Sequence, residues 1–166
     1  MLKTLSIVAN TATLISMVAI GAYNIKDASA QEKVDHISQD EKYCLQQNIY
    51  FEARNQSELG KSAVAWVTLN RVGDSKYPDT ICGVVWQSKQ FSWTHDGKSD
   101  QPGGNMLEQK AWERAGEVME TVLFEYHSGT DRLIGDAVMF HADYVSPYWK
   151  ESYVEVATID DHIFYE

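Results

Sequence analysis

Ile49-Tyr50-Phe51-Glu52-Ala53-Arg54 puts a carboxylate where apolar residues belong. Taken as helix, at about 100° per residue, the segment fans Cys44, Leu45, Ile49, Phe51 and Ala53 over one side, with Asn48 and Glu52 in the middle. Gln46, Gln47 and Tyr50 fall opposite. Burying an ionised carboxylate is costly. Either Glu52 is a general acid kept protonated by desolvation, or it pairs with Arg54 or another cation at the helix end. Geometry alone leaves both open.

Outward from this segment the chain divides cleanly. Ser38-x-x-Glu41 has the form of a capping box, so the first helix is expected from about Asp40 to Ala53 or Arg54. Asn55-Gln56-Ser57 breaks it, and Ser57 can cap a second helix from Glu58 to Val72, ended by Gly73. Ala63 to Leu69 is apolar on nearly every side, which marks a helix buried at the centre. Thr80 to Gln87 predicts a short helix, and Phe91-Ser92-Trp93 a short strand. Thr94 to Asn105 is a surface loop of a length that usually serves function. Leu107, Ala111, Ala115, Val118, Val122 and Tyr126 form the stripe of a third long helix, Asn105 to Tyr126. Ala137 to Phe140 then reads as a strand, and Tyr153–Thr158 with Ile163–Tyr165 as a hairpin turning at Asp160-Asp161. The class is α+β, helices first and a small antiparallel sheet last.

The 166 residues suit one domain with a leader. Lys3, the uncharged run Leu5 to Ala22 and the small residues Ala28-Ser29-Ala30 read as a signal peptide cut before Gln31. An uncleaved anchor and a buried core helix are the rival readings, since the apolar run is near the lower limit for spanning. Residues 31–39 are expected to be a flexible entry and 40–166 the domain. A formal charge of −10 argues against nucleic acid as partner. Membrane contact is expected only through the N-terminal segment, and the protein is expected to be a monomer. Cys44 and Cys82, an even pair in an exported chain, suggest a disulfide; two buried free thiols are the alternative. Without CxxC spacing they do not suggest zinc.

Most catalytic chemistries find no residues here. There is no Gly-rich phosphate loop, no Gly-x-Ser-x-Gly elbow, and neither cysteine has a His partner in a local motif. His95, Asp96, His141, Asp143 and His162 match no strong metal-ligand spacing, so neither metal nor cofactor is expected. What remains is one carboxylate among five Trp and nine Tyr. Aromatic faces stack on sugars, and a carboxylic acid of raised pKa can protonate a glycosidic oxygen. Most of those aromatics are expected to be core.

Several motifs then follow one another in order: Tyr50-Phe51-Glu52-Ala53-Arg54, Gly60, Ala63-Val64-Ala65, Leu69-Asn70-Arg71-Val72, Tyr77 to Val85, Gln90-Phe91-Ser92-Trp93, Phe140 to Trp149, and His162-Ile163-Phe164-Tyr165. Together, over Cys44 to Tyr165, they resemble the SleB-type cell wall hydrolase family. The resemblance implies a lysozyme-like α+β domain that cuts peptidoglycan glycan strands. It implies a lytic transglycosylase with one catalytic Glu, which falls on Glu52, and it strengthens the Cys44–Cys82 pairing. Asn70, Phe91, Trp93, His141, Tyr144 and Tyr165 are expected to bind substrate, while Arg54 and Arg71 tie down backbone or neighbouring acids. Two departures stand out. Gln56 occupies the place of a common Glu, removing the nearest second acid, and Asp160 stands where a Gly is usual. A muramidase using a water held by Asp96 or Asp143, and a non-catalytic glycan-binding protein, are the competing functions.

Overall fold

The computed structural model describes residues 37–130 and 132–166. The leader at 1–30 and residues 31–36 of the expected entry lie outside the described residues. The rest of that entry belongs to the domain: Ile37 packs against the core, and Ser38 caps the first helix.

Among the described residues four α-helices come first: α1 (Gln39–Ala53), α2 (Glu58–Gly73), the short α3 (Ile81–Val85) and α4 (Met106–Ser128). Three strands follow, β1 (Met139–Ala142), β2 (Glu155–Ile159) and β3 (His162–Tyr165), as an antiparallel sheet in the order β1-β3-β2. Met139 faces Tyr165 and Ala142 faces His162 across the first pair, and a bulge interrupts the second between Glu155 and Ala157.

Local chemistry sets the helix ends. Ser57 accepts from the Gly60 N–H, Asn105 from those of Leu107 and Glu108, and Gly129 closes α4 in the left-handed conformation at φ 72°. The capping box at α1 forms only by half. Ser38 accepts from the Glu41 N–H, but the Glu41 carboxylate reaches across to the Ile81 and Cys82 N–H groups and caps α3 instead. Gly73 stays inside α2, and Asp74 is its C-cap.

Every residue of α2 from Ala63 to Arg71 is buried, as its all-round apolar surface demands. Leu45 and Ile49 of α1, Trp66 and Leu69 of α2, and Val122 and Leu123 of α4 meet in one core. Each such side chain contributes about 1.5–3 kcal/mol when fully buried. The second side of α1 is not free. Tyr50 is 1 % exposed and Gln47 3 % exposed, because Trp112 of α4 covers the first and the Asp100 carbonyl accepts from the second. The sequence pattern, which set both opposite the core, is corrected by this long-range cover.

Phe91-Ser92-Trp93 is not a strand. Phe91 precedes a 3-10 turn, Ser92–His95, that aims the Trp93 ring inward. The hairpin turn bends through Asp160 at φ 49°, the left-handed conformation for which Gly is usual. Asp160 is used there for its carboxylate, which accepts from both the Ser57 N–H (2.8 Å) and hydroxyl (2.6 Å). A Cβ on Gly60 would collide with that carboxylate.

Cys44 and Cys82 form a disulfide between α1 and α3, 38 residues apart in sequence. Closing a loop of that size stabilises by up to about 4 kcal/mol in the chain-entropy picture. The Cys44→Ser/Cys82→Ser double variant is therefore expected to lose up to about 4 kcal/mol in denaturant unfolding. Added reductant should cost the wild type the same amount and the variant nothing.

Candidate active site

The C-terminal turn of α1 and the sheet face each other across an open cleft of about 840 Å3. Glu52 lines it, with Arg71 and Tyr77 on one side and His141, Tyr144 and Trp149 on the other. Among the described residues that line this cleft, Glu52 is the only carboxylic acid.

The ridge beside Glu52 is held by a buried hydrogen-bond chain. The Trp93 Nε1–H donates to Asn48 Oδ1 (3.2 Å), Asn48 Nδ2 donates to Thr68 Oγ1 (3.1 Å), and the Thr68 hydroxyl donates to the Val64 carbonyl (3.3 Å). The Trp93 ring stacks on Phe51 at 4.6 Å. The residue before the acid is thus clamped from α2 and from the 3-10 turn.

Burial pushes the Glu52 carboxyl up to about 7, and the opposing pull of the Arg71 guanidinium only moderates it. Glu52 makes no hydrogen bond or ion pair among the described residues, and its carboxyl opens onto the cleft. Arg54 does not neutralise it: that cation turns to Glu108, 4.0 Å away. Of the two explanations for an acid in the apolar stripe, desolvation applies.

Arg71 is 3 % exposed. Its Nε–H donates to the Val138 carbonyl at 2.7 Å, and its guanidinium lies over the rings of Tyr77 (5.4 Å) and Phe91 (5.1 Å). Its Nη1 is buried without a partner. Arg71 thus does both things expected of it: it ties down backbone at Val138, and it pulls on a neighbouring acid, Glu52. The groups that hold it, Phe91 and Val138, come from distant parts of the chain.

The expected sugar-binding residues divide. Trp93, His141 and Tyr144 line the cleft. Tyr144 is 85 % exposed, and the neighbouring Tyr148, which sequence reasoning omitted, is 96 % exposed and also lines it. His141 is fixed by two contacts. The Ala142 carbonyl can only accept, so the His141 Nδ1 at 2.8 Å carries a proton. In the neutral ring Nε2 then accepts from the Tyr165 hydroxyl at 2.9 Å. Tyr165 is buried behind His141, on which it stacks, and does not itself line the cleft. Phe91 is buried behind Arg71. Asn70 lies elsewhere: its Nδ2 donates to the Gly135 and Ala137 carbonyls, and it borders a separate depression with Gly73 and Asp74. Phe91 and Tyr165 thus back cleft-lining residues from behind, and Asn70 does not reach the cleft. No group of three or more His, Cys, Asp or Glu among the described residues is placed to hold a metal. Asp96 and Asp143 do not line the cleft.

One desolvated carboxyl of raised pKa in an aromatic-walled cleft, with no second acid lining it, is suited to protonating a bound leaving group. The chain belongs to the cell wall hydrolase family, whose model matches residues 55–165, beginning just after Glu52. It is 27 % identical over 120 residues to the spore cortex-lytic enzyme of Halalkalibacterium halodurans, covering 72 % of this chain and 33 % of that one. The spore cortex-lytic enzyme of Bacillus subtilis is 24 % identical over 141 residues, covering 85 % of this chain and 42 % of that one. The chain thus spans less than half the length of these curated relatives. Among solved structures it is similar to the catalytic domain of the germination-specific lytic transglycosylase SleB from Bacillus anthracis. The TM-score is 0.58 at 27 % identity, covering 79 % of this chain and 98 % of that one. The catalytic domain of the Bacillus cereus SleB protein gives 0.55 at 26 %, covering 79 % and 94 %. The expected lysozyme-like α+β domain is borne out.

The Glu52 carboxyl binds its proton more tightly folded than unfolded, so its contribution to stability falls as pH rises from about 4.5 to about 7. Glu52→Gln removes that penalty. The variant is expected to be more stable than wild type by about 2–3 kcal/mol above pH ~7 and equal to it below pH ~4.5. Denaturant titrations across that range measure the difference.

Proposed function

We propose that this protein cleaves peptidoglycan glycan strands as a lytic transglycosylase, with Glu52 as its single proton-transfer group. The observation that carries the reading is the isolation of Glu52: one desolvated acid, raised to about 7, in a cleft with no second carboxylate. Hydrolases that activate a water or form a glycosyl-enzyme use two carboxyl groups. A single one suffices when the nucleophile belongs to the substrate.

The steps balance without any further group. The protonated Glu52 gives its proton to the oxygen joining C1 of N-acetylmuramic acid to N-acetylglucosamine, and the C1–O bond breaks. The resulting carboxylate removes the proton from the muramic C6 hydroxyl. That oxygen closes on C1, leaving a 1,6-anhydro ring and a protonated Glu52 ready to act again. Arg71 stabilises the carboxylate between the two transfers, since its Nη1 has no other partner. Tyr144, Tyr148 and Trp149 offer ring faces to the sugars, while Trp93 and His141 shape the walls. Asn70, Phe91 and Tyr165 take supporting roles.

The same reading places the protein outside the cytoplasm, where the Cys44–Cys82 bond persists. Residues 1–30 act as the export leader, and the domain at 40–166 works as a monomer. Among the described residues no helix is long and apolar enough to cross a membrane.

Digestion of purified sacculi with mass analysis of the fragments is the direct test. Muramic ends one water lighter than reducing ends are expected, and Glu52→Gln should yield none. Reducing ends from the wild type would assign hydrolysis instead, and an active Glu52→Gln would remove Glu52 from the mechanism. The rate should also fall as pH rises through about 7, because only the protonated acid can start the reaction. Arg71→Met is expected to move that fall to higher pH, since it deletes the cation that favours the carboxylate, and Arg71→Lys to move it less.

A further inference from the structure

A second depression, of about 540 Å3, lies beside the Glu52 cleft and shares Phe51, Ser92 and Trp93 with it. The stacked Phe51 and Trp93 rings form the ridge between them. The two differ in chemistry. Aromatic rings dominate the cleft, whereas Arg54, Lys98, Asp96 and Glu108 line the second pocket.

That pocket has a fixed floor. The Tyr50 hydroxyl, on a residue 1 % exposed, accepts from the Gly103 N–H at 3.2 Å and donates to the Glu108 carboxylate. Asn105 caps α4 at its edge. Arg54 lies over the Tyr50 ring at 5.4 Å, with its Nε 4.0 Å from Glu108. Its two terminal amino groups, the fork that grips a carboxylate, make no hydrogen bond among the described residues, and the side chain is 44 % exposed. Among the described residues the Lys98 ammonium is held only by Asp96, at 3.4 Å.

We propose that this pocket binds the carboxylate-bearing peptide branch of the same glycan strand whose sugars occupy the Glu52 cleft. The inference rests on the function proposed above. The glycan backbone is neutral, but each muramic ring carries a lactyl ether and, through it, a peptide with free carboxylates. A ring seated over Glu52 has such a branch within reach of the Phe51–Trp93 ridge. In a chain of formal charge −10, an approaching carboxylate is repelled unless cations meet it locally. Arg54 offers two parallel donors and Lys98 a mobile point charge. Glu108 and Asp96 keep those cations oriented while the pocket is empty.

The test uses the whole protein and two forms of one substrate: glycan strands with their peptides, and the same strands stripped by an amidase. The wild type is expected to show a lower KM for the peptide-bearing form. The Arg54→Gln/Lys98→Gln double variant should raise that KM about five- to tenfold, as loss of two charged contacts predicts, with kcat unchanged. The ratio of KM for the two forms should then approach one, and Arg54→Lys should restore part of it. Equal KM values for the wild type, or equal losses on both forms in the variant, would overturn the proposal. Neither result touches the transglycosylase reading, which fails separately if wild-type products lack anhydro ends.

Discussion

Asn48 is completely buried, and its amide is the joint on which the site depends. Its Oδ1 accepts from Trp93 and its Nδ2 donates to Thr68, so one side chain joins α1, α2 and the 3-10 turn. A buried amide left unpaired costs about 1–3 kcal/mol. The three elements are therefore locked in the one arrangement that satisfies it. That arrangement stacks Trp93 on Phe51, and it leaves Glu52, one residue further along α1, facing open space.

The electrostatics follow from the same packing. Glu52 and Arg71 are both desolvated and lie on the same cleft, yet they make no ion pair. Arg71 is restrained by the Val138 carbonyl and by the rings of Tyr77 and Phe91. Held there, it lowers the cost of ionising Glu52 without abolishing it. A closer pair would favour the ionised carboxylate, and no cation at all would push the carboxyl further up.

Much of this was legible in the sequence, and the boundary between legible and illegible is physical. The helices could be placed because their ends are written locally, in Ser38, Ser57, Asn105 and Gly129. The hairpin could be placed because alternation and a two-residue turn are short-range signals. The lone acid was visible as an apolar-stripe anomaly. What could not be read was cover supplied from far along the chain. Tyr50 and Gln47 are buried by α4 and the loop before it. Glu41 serves α3 rather than its own helix. Asn70 belongs to a motif that also holds Arg71, yet the two neighbours point to different depressions. Phe91 and Tyr165 are one layer too deep to line the cleft, whereas Tyr148 and Tyr153, which no local motif singles out, both line it.

The Asp160 turn has a mechanical meaning. Its carboxylate grips the first residue of the α2 cap, while at the other end of the sheet the Val138 carbonyl is gripped by Arg71 of the same helix. The sheet is thereby buckled to α2 at two separated points, and swinging it outward would uncap a helix and strip a buried guanidinium together. The width of the groove is thus a fixed dimension. On the proposed reading, a glycan strand must fit that width as it stands, and its rings, rather than the protein, must supply the bending.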